Sequence, residues 1–436
     1  MAKRISAQSI QEVTTAADAI TIIAEYVRLE KKSGRYWGLC PFHDEKTPSF
    51  SVDSSQNLFY CFGCGKGGSI LTFLMEIEKL NFVEAVQKLA QKYNIQLIYE
   101  GGYDQEKENT VLEEKASLRH LYTRVAGSFA YWLLEKPEGK ECRAYLESRG
   151  IDAESIQKFG LGYAPKNRRW LFNFLSHKSF SKDFLAKTGL FSSKYPEYAF
   201  FSNRLMFPIQ DRDGNVIAFG GRLLEGEGPK YLNSSDSAIF HKSQNLYALN
   251  LAMAEMRKTS MVYICEGYFD VIALHRAQVT NSVAPLGTAL TVDQVKLLKR
   301  WCSHIVLVFD ADAAGVKASL HAIQLCKSQG LSCSLVKIAE GKDPADILQE
   351  YGSEYLQKAL KETIHDFDFL LEYASGSFDI SVAEGKAQVA NFMYPYLYLI
   401  DSEVVKSGFL DRISEELQLD RLALTKDFSS YSLQLK

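Results

Sequence analysis

Met261-Val262-Tyr263-Ile264-Cys265-Glu266-Gly267-Tyr268-Phe269-Asp270 and, further along, Ile305-Val306-Leu307-Val308-Phe309-Asp310-Ala311-Asp312 have the same layout. In each, a short apolar run ends at a carboxylate and leads into a helical stretch, the first to Arg276 and the second through Gly315. Cys333–Ile338 is a third such run, ending near Gly341-Lys342-Asp343. Short apolar strands alternating with helices predict a parallel α/β sheet, assigned to residues 259–352. Ligands of such sheets collect at the carboxyl ends of the strands, where Glu266, Asp310, Asp312 and Asp343 all fall. Converging carboxylates repel one another unless cations stand between them. Mg2+ or Mn2+ suits the place, since such ions prefer oxygen ligands and bridge to phosphates. Asp270, four residues after Glu266, faces the same way if the helix starts at once. One such acid alone reads as a helix cap or a solvated loop residue. Three strand ends in succession point to metal-assisted phosphoryl chemistry.

Upstream, residues 112–258 read as a mixed α+β region. Helical stretches at Leu112–Glu135 and Lys140–Arg149 precede a hairpin, with Asp211–Asn215 turning between Leu205–Ile209 and Val216–Phe219. Between 166 and 260 there are 14 Lys and Arg against 8 Asp and Glu; between 261 and 375 the count is 10 against 14. A local +6 thus adjoins a local −4. The cations fall in Gly220-Gly221-Arg222, Lys230-Tyr231-Leu232-Asn233-Ser234 and His241-Lys242. Surface lysines are as a rule merely solvated. A basic face beside an acidic metal site is better explained by nucleic acid or triphosphate. Downstream, residues 353–436 read as a helical bundle, with breaks at Gly376 and Pro395.

Residues 1–102 have a different character. Amphipathic runs at Ala16–Leu29 and Ser69–Tyr93 predict helices flanking aromatic-rich short segments from Tyr36 to Phe62. Gly101–Asn109 reads as a flexible linker. Cys40-Pro41-Phe42-His43 and Cys61-Phe62-Gly63-Cys64 form a C-x2-H … C-x2-C arrangement. Three thiolates and an imidazole close a tetrahedron around one Zn2+ with no open position, so this zinc is structural. Gly63 and Gly65 are expected to supply backbone freedom. Arg35, Tyr36, Trp37, Lys46, Phe50, Phe59, Tyr60, Phe62 and Lys66 surround the ligands. Interleaved aromatics and cations suit single-stranded nucleic acid, although half or more of these rings are expected in the core of so small a domain.

The whole chain sets the bounds. At 436 residues and roughly 150 per domain it has room for about three domains. With 46% hydrophobic and 24% charged residues it is neither disordered nor fibrous. Fifty basic against 53 acidic residues exclude a tail-driven electrostatic binder. No stretch approaches the roughly 18 apolar residues of a membrane span, and the N-terminus lacks a signal-peptide pattern. A soluble, cytoplasmic, multi-domain α/β protein (α+β overall) is expected. The remaining cysteines, Cys142, Cys265, Cys302, Cys326 and Cys333, are scattered, which argues against a disulfide framework. The phosphate-loop pattern G-x-x-x-x-G-K-[ST] does not occur, so the chain is not its own ATP-driven helicase.

Over essentially its full length the chain resembles the bacterial DnaG-type DNA primases. The zinc segment, with Glu45-Lys46-Thr47-Pro48-Ser49-Phe50 between its ligand pairs, resembles that family's zinc motif. Arg204-Leu205-Met206-Phe207-Pro208-Ile209, Phe219-Gly220-Gly221-Arg222, Lys230–Ser234 and His241-Lys242 resemble its basic polymerase motifs. Glu266–Asp270 and Asp310–Gly315 resemble its Toprim metal motifs. The resemblance implies a zinc ribbon, a mixed subdomain, a Toprim subdomain and a helical bundle. It also implies synthesis of short RNA primers from ribonucleoside triphosphates on single-stranded DNA at replication forks. Glu266, Asp310 and Asp312 would hold Mg2+ or Mn2+, with Asp270 and Asp343 completing the catalytic acids. Arg222, Lys230, Tyr231, Asn233 and Lys242 would bind nucleotide or template. Two departures stand out. Asp343-Pro344-Ala345-Asp346 has Ala345 where the family often has a second acid. The helicase-docking domain is expected to be absent, with Phe409–Lys436 read as closing helices of the polymerase domain, although a helicase partner is expected from the family. Toprim enzymes that cleave DNA, and a non-catalytic zinc-ribbon adaptor, remain alternatives.

Overall fold

The computed structural model describes residues 5–435 except Ser33, Asp44, Lys79, 100–104, Ser179, Ala311 and 337–342; residues 105–112 are described by backbone alone. The chain divides into two compact units, Met1–Val111 and Leu112–Lys436.

In the first unit, strands β1 (Glu30–Lys32), β2 (Arg35–Gly38), β3 (Phe50–Asp53), β4 (Leu58–Cys61) and β5 (Gly67–Ser69) form an antiparallel meander in chain order. Its core is aromatic: Phe50, Phe59 and Phe73 are buried with centroids 5.4–6.0 Å apart, and Phe42 packs on all three. The helices differ from expectation. A helix at Ala7–Ala16 precedes the predicted run, which itself holds only Ala19–Ile23. Ala17 is extended and Asp18 caps a new start by accepting from the Thr21 N–H at 2.9 Å. The apolar period carries across this break, so periodicity alone cannot reveal it. The second predicted helix likewise splits into Ile70–Ile77 and Phe82–Lys92, because Asn81 and Glu84 form a reciprocal capping box. The predicted linker is shorter on its described side: a helix begins at Gln105, while 101–104 lie outside the described residues.

The second unit holds two sheets. Strands β6 (Gly162–Ala164), β7 (Arg204–Gln210), β8 (Val216–Leu223) and β9 (Tyr231–Asn233) are antiparallel in that order, with the expected hairpin between β7 and β8. The other sheet contains β10 (Met261–Cys265), β11 (Ser282–Val283), β12 (His304–Val308), β13 (Ser332–Val336) and β14 (Thr363–His365), ordered β11-β10-β12-β13-β14. The first four are parallel; β14 adds an antiparallel edge that its short, polar sequence does not announce.

Alternation along the parallel strands joins three layers. Val262, Ile264, Ile305, Leu307, Cys333 and Leu335 share a core with the C-terminal helices Asp366–Ser377, Ala383–Tyr398, Glu403–Leu417 and Arg421–Gln434. Tyr263, Cys265, Val306, Val308 and Val336 face the other way, sharing a core with β7, β8 and the helices Tyr268–Arg276 and Pro344–Ala359. Strands covered on both faces read as unbroken apolar runs, which is why they were legible. Among the described residues, no helix is long and apolar enough to cross a membrane.

Candidate active site and metal centre

In the first unit, β2 leads into the turn bearing Cys40 and His43, and β4 ends at Cys61 with Cys64 one turn on. The four donor atoms lie within 4.8 Å of one another. Cys40 Sγ is 3.9 Å from Cys64 Sγ, and Cys61 Sγ is 3.8 Å from His43 Nδ1. Tetrahedral Zn–S bonds of about 2.3 Å put sulfurs about 3.8 Å apart, so the donor set fits Zn2+ with all four positions filled by protein. Glu45, a residue without an assigned role in the sequence reading, orders this turn. Its carboxylate accepts from the Cys40 N–H (2.7 Å) and Ser49 N–H (3.1 Å), and lies 3.3 Å from His43 Nε2. A ligating histidine braced by a carboxylate on its far nitrogen is a recurrent metal-site device. Gly63 is required for space rather than freedom: a Cβ there would sit 2.6 Å from His43 Nε2. Gly65, at φ +75°, is the one that needs a glycine's backbone. The aromatics divide as the size of the domain demands. Phe50 and Phe59 are core, whereas Tyr60 and Phe62 are 45% and 61% exposed, with Trp37 stacked on Phe62 at 5.8 Å.

In the second unit, β10 and β12 each lead directly into acids, and Asp343 follows β13 at the start of the next helix. After β10, Gly267 begins the helix Tyr268–Arg276, and the Asp270 carboxylate accepts from its N–H at 2.9 Å. Glu266 reaches across to the next strand end, accepting from the Asp310 N–H at 3.0 Å. Asp312 caps the helix Ala313–Ser328 through the Gly315 N–H (2.8 Å), and Asp343 caps Pro344–Ala359 through the Asp346 N–H (2.7 Å). Each cap uses one carboxylate oxygen, so capping does not exhaust these acids. Gly315 permits the close approach: a Cβ there would lie 2.0 Å from the Asp310 carbonyl oxygen and 3.0 Å from Glu266 Oε1.

The electrostatics record convergence. Burial, then Glu266, Asp343, Asp312 and Asp346, push Asp310 up to about 6. Burial, then Asp343 and Asp310, hold Asp270 well above the usual aspartate range against the Gly267 N–H. Among the described residues only the cysteine–histidine set is gathered within 4.8 Å; the acids are not gathered so tightly. An all-oxygen donor set in which neighbouring carboxylates repel one another fits Mg2+ or Mn2+, which retain water ligands. Asp346 lies 3.4 Å from Arg149 Nη1, so this acid is paired with a cation.

Of the cationic residues, Arg222 reaches the acid-bearing turn. Arg222, on β8, donates to the Tyr231 hydroxyl at 2.7 Å, and its guanidinium lies 5.1, 5.3 and 5.5 Å from the rings of Tyr145, Tyr231 and Phe269. Phe269 belongs to the acid-bearing turn, so this cage joins the two sets. Lys230 is exposed beside β9. Lys242 is half-buried in a single helical turn, its N–H donating to Asp236 at 3.0 Å. Asn233 donates to the Leu286 carbonyl at 2.8 Å and accepts from the Tyr268 hydroxyl at 2.6 Å. Arg204 is buried and donates to the Gly221 and Pro229 carbonyls, so one charge of the local +6 is structural. A cation–aromatic patch escaped the sequence reading: Arg168 and Arg169 lie 5.8 and 5.4 Å from the Tyr198 ring, and Lys194 lies 5.5 Å from that of the half-exposed Tyr195. Basic–aromatic interleaving was its available signal, split between two segments that only folding unites.

Comparison with known proteins accounts for the chain segment by segment. Residues 5–105 match the family described as CHC2 zinc finger, and 129–253 match the N-terminal domain of the DNA primase catalytic core. Residues 263–348 match the Toprim-like family, and 367–421 match the DnaB-helicase binding domain of primase. The last match corrects the expectation of a missing helicase-docking domain. The helices concerned share a core with the parallel sheet, so their apolar period reads as the closing part of the polymerase domain. The DNA primase of Treponema pallidum is 39% identical over 98% of this chain and 70% of its own length; that of Borreliella burgdorferi is 36% identical over 97% and 81%. The zinc-binding and RNA polymerase domains of Aquifex aeolicus primase are similar with a TM-score of 0.60 at 32% identity, covering 95% of this chain and 98% of that one. A DnaG primase catalytic domain bound to single-stranded DNA is similar with a TM-score of 0.65 at 27% identity, covering 72% of this chain and 99% of that one.

Proposed function

The chain belongs to the DnaG-type bacterial DNA primases, and on that premise we propose how its residues carry out primer synthesis. The observation that carries the reading is the meeting of acids at the ends of β10 and β12, where Glu266 accepts from the Asp310 N–H and Asp270 from the Gly267 N–H, beside a guanidinium held in an aromatic cage. Glu266, Asp310 and Asp312 are assigned to hold Mg2+ or Mn2+, with Asp270 and Asp343 completing the acidic edge. A cation held by these acids would lower the pKa of the attacking hydroxyl and neutralise the departing pyrophosphate, the chemistry of a nucleotidyl transfer. Glu266 sets the spacing of two strand ends through its bond to the Asp310 N–H. Arg222, Lys230, Tyr231 and Lys242 take the triphosphate or template backbone, with Asn233 beside them.

Single-stranded template is assigned to two aromatic–cationic surfaces. One is the Trp37, Tyr60 and Phe62 face of the zinc unit, which would select the start site; the other is the Arg168, Arg169, Tyr195 and Tyr198 patch. The helices within 367–421 are assigned to dock the replicative helicase. A catalytic-core match directly preceding the Toprim-like match favours a primase over a DNA-cleaving Toprim enzyme or an adaptor.

The test is labelled ribonucleotide incorporation on single-stranded DNA with Mg2+ or Mn2+, wild type beside Asp310→Asn. Wild type should make short RNA, and the variant should lose about a hundred-fold or more. Equal synthesis by both proteins would remove Asp310 from the catalytic acids.

A further inference from the structure

Tyr268 belongs to the acid-bearing turn, yet its side chain leaves that turn for the antiparallel sheet. The ring is buried, stacked on Phe207 at 4.6 Å and meeting Tyr247 edge-on at 4.6 Å. Its hydroxyl emerges at β9, where it donates to Asn233 Oδ1 at 2.6 Å. The Asn233 amide is oriented by its other partner. The Leu286 carbonyl can only accept, so Nδ2 must face it (2.8 Å) and Oδ1 is left for the tyrosine. Two glycines make room. A Cβ at Gly220 would fall 2.3 Å from the Tyr268 hydroxyl oxygen, and one at Gly287, at φ +72°, would fall 2.7 Å from Asn233 Nδ2. The bridge therefore runs from the acid turn, through β9, to the loop after β11.

We propose that Tyr268 is a positioning residue, which through Asn233 fixes the separation between the strand carrying Lys230 and Tyr231 and the turn carrying Glu266 and Asp270. The proposal rests on the primase reading and adds to it. Asn233 serves this bridge rather than contacting nucleotide. In nucleotidyl transfer the cation held by the acids would meet the hydroxyl and the reacting phosphate, while the cationic side holds the rest of the triphosphate or the template, so alignment depends on the spacing between the two sides. A rigid two-bond link is a direct way to hold that spacing. Small misplacements of reacting groups are expensive in rate, whereas the cations and acids still bind their own ligands when the link is cut. Loss of the bridge should therefore appear in kcat and leave the nucleotide KM nearly alone.

The experiment is a double-mutant cycle in the full chain: wild type, Tyr268→Phe, Asn233→Ala and the pair, with Asp310→Asn as the inactive control. Primer synthesis gives kcat and ribonucleotide KM; thermal melting follows folding. Tyr268→Phe keeps the ring packing, so its Tm should stay within a few degrees of wild type. Each single variant should lose roughly ten-fold in kcat with KM within about two-fold, and the double variant should be no worse than either. Independent losses, with Asn233→Ala alone raising KM several-fold, would make Asn233 a direct nucleotide contact and overturn the proposal. Full kcat in Tyr268→Phe would overturn it equally. Wild type that makes no RNA, or Asp310→Asn that makes as much as wild type, would instead strike the primase reading or its acids.

Discussion

Two carboxylate sites lie on the same sheet, and their electrostatics run in opposite directions. At the strand ends, burial and neighbouring carboxylates push two acids upward: Glu266, Asp343, Asp312 and Asp346 act on Asp310, and Asp343, Asp310 and Glu266 act on Asp270. Asp366, at the start of the bundle, is fully buried, yet it is held below the ordinary aspartate value. Burial acts to raise it, but the His365 imidazole at 2.8 Å and the Lys327 ammonium at 3.0 Å prevail, and the Tyr396 hydroxyl donates at 2.8 Å. Lys327 comes from the helix Ala313–Ser328, so the charge-paired acid ties the bundle to the sheet. Burial therefore does not distinguish a reactive carboxylate from a structural one. Compensation does: the strand-end acids are raised by neighbouring carboxylates, whereas Asp366 is lowered by His365 and Lys327.

The comparison breaks first where the expected effect is largest. Asp310→Asn should abolish at least about 99% of primer synthesis, while removing a repelled charge should leave Tm unchanged or slightly raised. A variant that is inactive because it melts early would place Asp310 with Asp366 as a structural acid. Asp366→Ala should do the reverse. It leaves the nearly buried Lys327 without its partner, a loss worth about 3 kcal/mol or more in urea unfolding, while molecules still folded retain their kcat. Unchanged stability in Asp366→Ala would remove the idea that this pair fastens the bundle.

The two sites also differ in how well the sequence announces them. Glu266, Asp310, Asp312 and Asp343 were visible because each follows an apolar run, and strands buried on both faces show as such runs whatever packs on them. The zinc ligands were visible because all four fall within one short stretch. Asp366 was not, since its meaning lies in Lys327 and Tyr396, which only folding brings near. The same holds for Tyr268 and Asn233, 35 residues apart, and for Arg168 beside Tyr198. The bundle was legible as helices but not as a docking element, because its apolar period reports the face turned to the sheet and is silent about the outward one. Short elements escaped altogether: β14 has three residues, and the helices near Asp18 and Asn81 are separated by caps that an apolar period overrides.

A buried group on the far face of the sheet sharpens the comparison through pH. His275 is buried against Phe159, and burial, with Lys158 adding to it, lowers its pKa from 6.5 to about 4. It is thus neutral near pH 7 in the fold, held so chiefly by burial rather than by the charge pairing that holds Asp366 ionised. The unfolded chain takes up this proton first as pH falls below 6.5. Its stabilising contribution is therefore complete above that value and is lost progressively toward pH 4, by about 3 kcal/mol in all. Urea midpoints from pH 7 to 5 should fall more steeply for wild type than for His275→Phe; parallel curves would mean that the imidazole is charged in the fold.

The smallest effect tests how Asp366's compensation is shared. His365 is half-exposed, so water screens its interaction with Asp366 Oδ1, whereas Lys327 is largely withdrawn from solvent. Removing the imidazole leaves the carboxylate its lysine and its tyrosine. His365→Ala should then cost about 1 kcal/mol at neutral pH, well under the cost of Asp366→Ala, as expected for one screened partner among several. A loss as large as that of Asp366→Ala would mean that compensation of the buried acid runs through the histidine. Bundle attachment would then rest on a half-exposed, screened partner rather than on the withdrawn lysine.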